Sequence, residues 1–129
     1  MNKNVEKGLA VFAEIYGEDM ADSLGAYMNS GRFGAEVSRW AMELPFGQIW
    51  PREKLERKKR SCAVLGMVIA LRQTEEIRYH TKMALANGLT KEEIEEVLYS
   101  AVPYCGIPAA NVAKAAMLAA FKDLGMDVT

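Results

Sequence analysis

Residues 72–111 read RQTEEIRYHTKMALANGLTKEEIEEVLYSAVPYCGIPAAN, and the signals in them are helical throughout. Apolar residues recur at intervals of three and four, with no convincing period of two. Thr90 and Glu93 stand three apart ahead of an apolar run. That is the spacing of a capping box, in which hydroxyl and carboxylate each satisfy a free backbone N–H. Gly88 closes the preceding helix, for which Thr74 offers a cap over Glu75 to Asn87. Ile94, Val97, Leu98, Ala101 and Val102 form the apolar face of the helix after it. Pro103 is expected to break or kink that helix near its end. Gly106 permits a left-handed turn, and Pro108 suits the first turn of a final helix. In that helix Ala109, Ala113, Ala116 and Ala120 provide a close-approach face.

Outward from this stretch the pattern stays the same. Val5, Leu9, Phe12 and Tyr16 line one face of a first helix ending at Gly17, and a second covers about Asp19 to Met28. Phe33, Val37, Trp40 and Leu44 make a further stripe, with a stop expected at Pro45 and Gly47. From Pro51 a long helix is expected, starting amphipathic and becoming apolar all round over Cys62–Leu71. A helix of that kind is either central to a core or sandwiched between subunits. The expectation is an all-α fold, one domain spanning residues 1–129, with no internal linker.

Composition bounds the function. The chain has 129 residues, half of them hydrophobic, and 16 basic residues against 17 acidic. Without a basic excess there is no electrostatic footprint for nucleic acid. The basic run of residues 52–60 (REKLERKKR) is interrupted by Glu53 and Glu56 and has no interleaved aromatics, so it reads as a solvated helix start. No apolar run approaches the twenty or so residues that span a bilayer, and the N-terminus lacks the pattern of a signal peptide. A cytoplasmic location is expected. Cys62 and Cys105 lie far apart and read as buried free thiols.

The candidate chemistry centres on the chain's one histidine, His80. It lies three after Ile77 and four before Ala84, so it points toward the core. Glu76, one turn earlier, can hold one imidazole nitrogen and orient the other. Gln73 either shares that face or projects from the turn before it. A histidine with a glutamate four residues earlier is also found as a plain structural pair. One histidine without clustered cysteines argues against a zinc site, which needs three or four protein ligands.

These residues sit inside a larger pattern. Arg60-Ser61 opens the central helix, and Glu76-Ile77-Arg78-Tyr79-His80 follows it. Next come Ala84-Leu85-Ala86-Asn87-Gly88-Leu89-Thr90-Lys91-Glu92-Glu93-Ile94 and Tyr104-Cys105-Gly106-Ile107-Pro108-Ala109-Ala110. Together with Phe46-Gly47-Gln48-Ile49-Trp50, this series resembles the carboxymuconolactone decarboxylase family over about residues 33–122. The resemblance implies an alkylhydroperoxidase-like helical bundle, assembled as a homo-oligomer (trimer or hexamer). Superfamily members that reduce peroxides carry a Cys-x-x-Cys ahead of the histidine. Gln73 and Glu76 stand in those places here, and Ser61 stands at an associated glutamate, so dithiol chemistry is excluded. The family's aromatic-Gly-Glu element has Gln48 in place of its glutamate. An amide donates hydrogen bonds but does not exchange a proton as a carboxylate does.

The family reaction implied is loss of carbon dioxide from a carboxylated butenolide such as 4-carboxymuconolactone, in aromatic-compound catabolism. Electrons pass through the ring double bond into the lactone carbonyl, so the substrate is its own electron sink and no cofactor or metal is implied. His80, positioned by Glu76, is expected to act as the acid or to stabilise the enolate. Gln48, Tyr104, Arg60, Gln73 and Trp50 are the expected substrate-binding residues, with Arg60 clamping a carboxylate. Two other readings stay open. One is an isomerase, lactone-processing enzyme or decarboxylase acting on another small acid. The other is a non-catalytic helical binding or assembly module.

Overall fold

The computed structural model describes residues 2–128. Those residues form seven α-helices and one π-helix, and no strand. They divide into two compact units, residues 1–56 and 57–129.

The first unit begins with α1 (Lys3–Tyr16), capped by Asn2, whose side chain accepts from the Val5 amide at 2.8 Å. Gly17, at φ 96°, turns the chain into α2 (Glu18–Met28). After a turn comes α3 (Ala35–Ala41), which continues without a break into a π-helix, Met42–Ile49. The stop expected at Pro45 therefore does not occur. A proline ring inside an α-helix clashes with the carbonyl four residues back. The wider π-helical coil avoids that geometry, and the Trp50 amide bonds back five residues to the Pro45 carbonyl at 2.8 Å.

Two glycines bring α1 and the π-helix together backbone to backbone. A Cβ on Gly8 would overlap the Met42 carbonyl oxygen, and one on Gly47 would overlap the Asn4 carbonyl oxygen. Val5, Met28 and Met42 form the small core of this unit, with Leu9, Phe12, Leu24 and Phe46 against it. Phe12 and Phe46 meet edge to face at 5.5 Å between ring centroids. The stripe at Phe33, Val37, Trp40 and Leu44 is not part of that core. All four side chains face outward.

The second unit contains α4 (Arg57–Ala70), α5 (Thr74–Ala86), α6 (Lys91–Cys105) and α7 (Ile107–Asp123). Helix α4 starts at Arg57, so the long helix expected from Pro51 is shorter by about a turn and a half. Leu65, Ile69, Ile77, Ile94, Ala113, Ala116 and Met117 are buried together in one core. Each of the large side chains among them contributes roughly 1.5–3 kcal/mol by leaving water. The alanine face of α7 is buried as its spacing suggests: Ala109, Ala113, Ala116 and Ala120 are all covered.

Local chemistry sets the ends of these helices. The Thr90–Glu93 capping box is complete in both directions, at 3.1 and 2.9 Å. Thr74, by contrast, is the first residue of α5, and the cap position belongs to Gln73, which makes no side-chain capping bond. Helix α6 runs through Pro103 to Cys105 before Gly106, at φ 93°, turns the chain into α7. Across the surface, Arg78 holds Asp123 through two bonds of 2.7 Å, and Lys82 reaches the same carboxylate at 2.8 Å. These contacts fasten α5 to the end of α7.

Candidate active site

His80 projects from α5 on the side of the buried Ile77, Thr81 and Ala84, and its side chain is 18 % exposed. Burial is the main influence on its imidazole and lowers its pKa below 6.5, while the nearby Glu76 carboxylate pulls the other way. Desolvation disfavours a charged imidazolium, so the neutral ring is the form favoured at neutral pH. Glu76 lies one turn back, with a carboxylate oxygen 3.7 Å from Nε2. That separation allows charge attraction but is longer than a hydrogen bond. The expected hydrogen bond from Glu76 is thus an electrostatic contact from a more exposed carboxylate.

Gln73 takes the second of the two placements its sequence position allowed. It projects from the turn before α5, and its amide donates to the Leu71 carbonyl at 3.4 Å. Arg60 lies on α4, half-buried, and its Nε is enclosed with no hydrogen-bond partner among the described residues. A buried N–H in that state is a poor resting arrangement unless an acceptor arrives. The next residue, Ser61, is buried and accepts from the Asn87 side chain at 3.0 Å. This bond ties α4 to the end of α5, the helix carrying His80. Sequence reading singled out Arg60-Ser61 but not Asn87. An asparagine at a helix end signals a turn, and nothing local reveals a partner 26 residues away.

Tyr104 is 90 % exposed near the end of α6. It lines a groove of about 600 Å³ between α4 and α6, together with Cys62, Gly66, Val97, Ser100 and Cys105. His80, Glu76, Arg60 and Gln73 do not line this groove. Cys62 and Cys105 are free, half-buried thiols. Among the described residues, no group of three or more His, Cys, Asp or Glu side chains is placed to hold a metal ion.

In the first unit, Gln48 is exposed and its amide nitrogen donates to the Glu43 carbonyl at 3.1 Å. Its donor group thus closes the widened π-helical turn locally. Trp50, directly after that helix, is buried.

Arg60, the Glu76–His80 pair and the Tyr104 junction thus occupy α4, α5 and α6 of one helical unit. The profile of the carboxymuconolactone decarboxylase family matches residues 35–119. The chain is 31% identical over 121 residues to a 4-carboxymuconolactone decarboxylase of Acinetobacter baylyi, covering 94% of this chain and 89% of that protein. It is 32% identical over 103 residues to a nitrosuccinic acid decarboxylase of Metarhizium robertsii, covering 80% of this chain and 71% of that protein. On the extent of these matches, the chain belongs to the carboxymuconolactone decarboxylase family.

Proposed function

We propose that the protein is a cofactor-independent decarboxylase that releases carbon dioxide from a small carboxylated lactone of the 4-carboxymuconolactone type. Its likeness to two decarboxylases supports the reaction class. The single observation that carries the mechanism is the desolvated imidazole of His80, held in its neutral form on α5. As the carbon–carbon bond to the leaving carboxylate breaks, its electron pair moves through the ring double bond into the lactone carbonyl. A neutral imidazole donates its N–H to the oxygen where that charge appears, inside a partly water-excluded setting that strengthens the bond. Protonation of the dienolate carbon then completes the reaction. Glu76 acts through His80 as a positioning residue. Arg60, always charged and with a buried unpartnered Nε, takes a carboxylate of the substrate.

A second reading keeps the scaffold and changes the acid. Two features favour it: Gln48 stands where the family element has a glutamate, and one relative is named for nitrosuccinic acid. In that acid the nitro group would receive the electron pair in place of the lactone carbonyl. In either reading we propose that the chain works in solution as a homo-oligomer.

The deciding experiment measures carbon dioxide release, and deuterium uptake from solvent into product, with 4-carboxymuconolactone and with nitrosuccinic acid. Wild type is expected to turn over the lactone. His80→Ala is expected to lose about 10²–10⁴-fold of that rate with an unchanged melting curve. Full activity in a well-folded His80→Ala would remove His80 from the mechanism. Turnover of nitrosuccinic acid alone would establish the second reading.

A further inference from the structure

The groove between α4 and α6 is left unused by the proposed reaction, since neither His80 nor Arg60 lines it. Its floor is set by Gly66, in the interior of α4. Glycine at such a position weakens a helix relative to alanine. Packing does not require it, because a Cβ on Gly66 would meet nothing within 4 Å. That is the reverse of Gly8 and Gly47, where neighbouring backbone occupies the space. What the missing side chain leaves is room. At about 600 Å³ the groove falls inside the range of small-molecule sites. We propose that it is a second ligand site, taking an elongated apolar amine whose ammonium sits on Glu96 and whose body lies over Gly66 toward Tyr104.

The shape of the groove follows from helix register. The Asn87–Ser61 bond sets the end of α5 beside the start of α4, and α6 departs from there. Lys58 and Glu93 then pair at 3.1 Å across the first turns of α4 and α6. The two helices thus run side by side in the same direction, with Cys62 level with Val97 and Gly66 level with Ala101. Glycine facing alanine makes the groove widest at that level. Tyr104 lies eight residues after Glu96, about 12 Å along the helix axis. The same register sets Cys62 and Cys105 about two turns apart, too far for a disulfide, whose Cα atoms lie within about 7 Å. Both thiols therefore line the groove as separate groups.

Charge selects the class of ligand. Two carboxylates border the groove, those of Glu93 and Glu96. Glu93 is engaged by Lys58 and by the Thr90 amide. The Glu96 carboxylate has no hydrogen bond or ion pair among the described residues. The uncompensated charge at the groove is thus negative. A carboxylate such as the acid proposed above is repelled there, and a cation is attracted. Ser100 donates its hydroxyl to the Glu96 carbonyl at 2.8 Å and so presents no competing donor. Beyond its charged end a ligand meets Cys62, Val97 and Ala101, where an apolar body gains by leaving water. At the far end the exposed Tyr104 ring supplies an aromatic surface to close over it.

Isothermal titration with decylamine, whose extended chain matches the groove, tests the site, with decanol and decanoate as its neutral and anionic counterparts. Wild type is expected to bind decylamine at least about tenfold more tightly than decanoate. Bound amine is expected to slow alkylation of Cys62 by iodoacetamide, read by peptide mass spectrometry. Gly66→Leu fills the groove while improving helix propensity, and is expected to lose the binding with its melting curve kept. Glu96→Gln is expected to weaken decylamine about threefold and to leave decanol unchanged. Wild type that does not bind decylamine, or binds decanoate as well, would overturn the proposal. Equal binding by a well-folded Gly66→Leu would do the same. Should that variant fail to fold, undiminished labelling of Cys62 in amine-saturated wild type would overturn the groove as the site.

Discussion

The two units of this protein reach a packed state by different means. Residues 57–129 bury large side chains between four helices, with Leu65, Ile69, Ile77 and Ile94 all fully covered. Residues 1–56 have a core of three fully covered side chains and rely instead on close backbone approach at Gly8 and Gly47. They also keep Phe33, Val37 and Trp40 outside. One unit is specified by what its side chains fill, the other by where side chains are missing. Substitutions that add atoms should therefore be felt most in the first unit.

The largest expected effect follows directly. Gly8 lies in the interior of α1, where helix propensity alone favours alanine by about 1 kcal/mol. A Cβ there would overlap the Met42 carbonyl oxygen, which is backbone and cannot rotate away. Gly8→Ala is expected to destabilise the first unit by about 3 kcal/mol, seen as lost hydrogen-exchange protection over residues 3–49. A gain in protection would mean that the contact relaxes easily, and the contrast between the units would then weaken.

In the second unit the sharpest test is one of pH. The folded pKa of His80 lies below its ordinary 6.5 because burial disfavours the imidazolium. An unfolded chain therefore binds a proton, as pH falls below 6.5, that the folded chain does not. This contribution to stability is fully present above pH 6.5 and is lost as pH drops toward the folded pKa. The slope from one such group is at most about 1.4 kcal/mol per pH unit. Denaturant titrations between pH 7.5 and 5 are expected to show that decline in wild type and a flatter profile in His80→Asn. Equal slopes would mean that His80 is as well solvated in the folded state as in the unfolded one.

The same contrast explains what could be read beforehand. The second unit was legible because its cues are local: the Thr90–Glu93 box, glycines at 88 and 106, and alanines at regular spacing in α7 each act within a few residues. The His80 placement followed from Ile77 and Ala84 on either side of it. In the first unit the deciding cues are distant or misleading. Pro45 ordinarily ends a helix, yet a widened turn carries it. An apolar stripe at helical spacing ordinarily marks a core, yet this one faces outward. The fit between Gly8 and Met42 joins residues far apart in sequence. At the site, the 3.7 Å separation of Glu76 and His80 and the enclosed Nε of Arg60 depend on rotamers and packing that spacing does not encode.

The smallest expected effect has the opposite sign from Gly8→Ala and probes the same question of where glycine is needed. Helices α4, α5 and α7 finish alike, the third residue past each helix donating back to a carbonyl in its last turn. The pairs are Gln73 to Val68 at 3.1 Å, Leu89 to Ala84 at 3.0 Å and Met126 to Phe121 at 2.9 Å. This ending places the intervening residue at positive φ, and two of the three are glycines, Gly88 and Gly125. The third is Arg72, at φ 55°. A side chain in that region costs roughly 1–2 kcal/mol, and glycine removes the cost while giving the unfolded chain more freedom. Arg72→Gly is thus expected to stabilise the second unit by about 0.5 kcal/mol, a rise of a few degrees at most in melting temperature. A loss instead would mean that the Arg72 side chain contributes more than its backbone conformation costs. Glycine would then be indispensable at Gly8, where space demands it, and dispensable where only the backbone angle does.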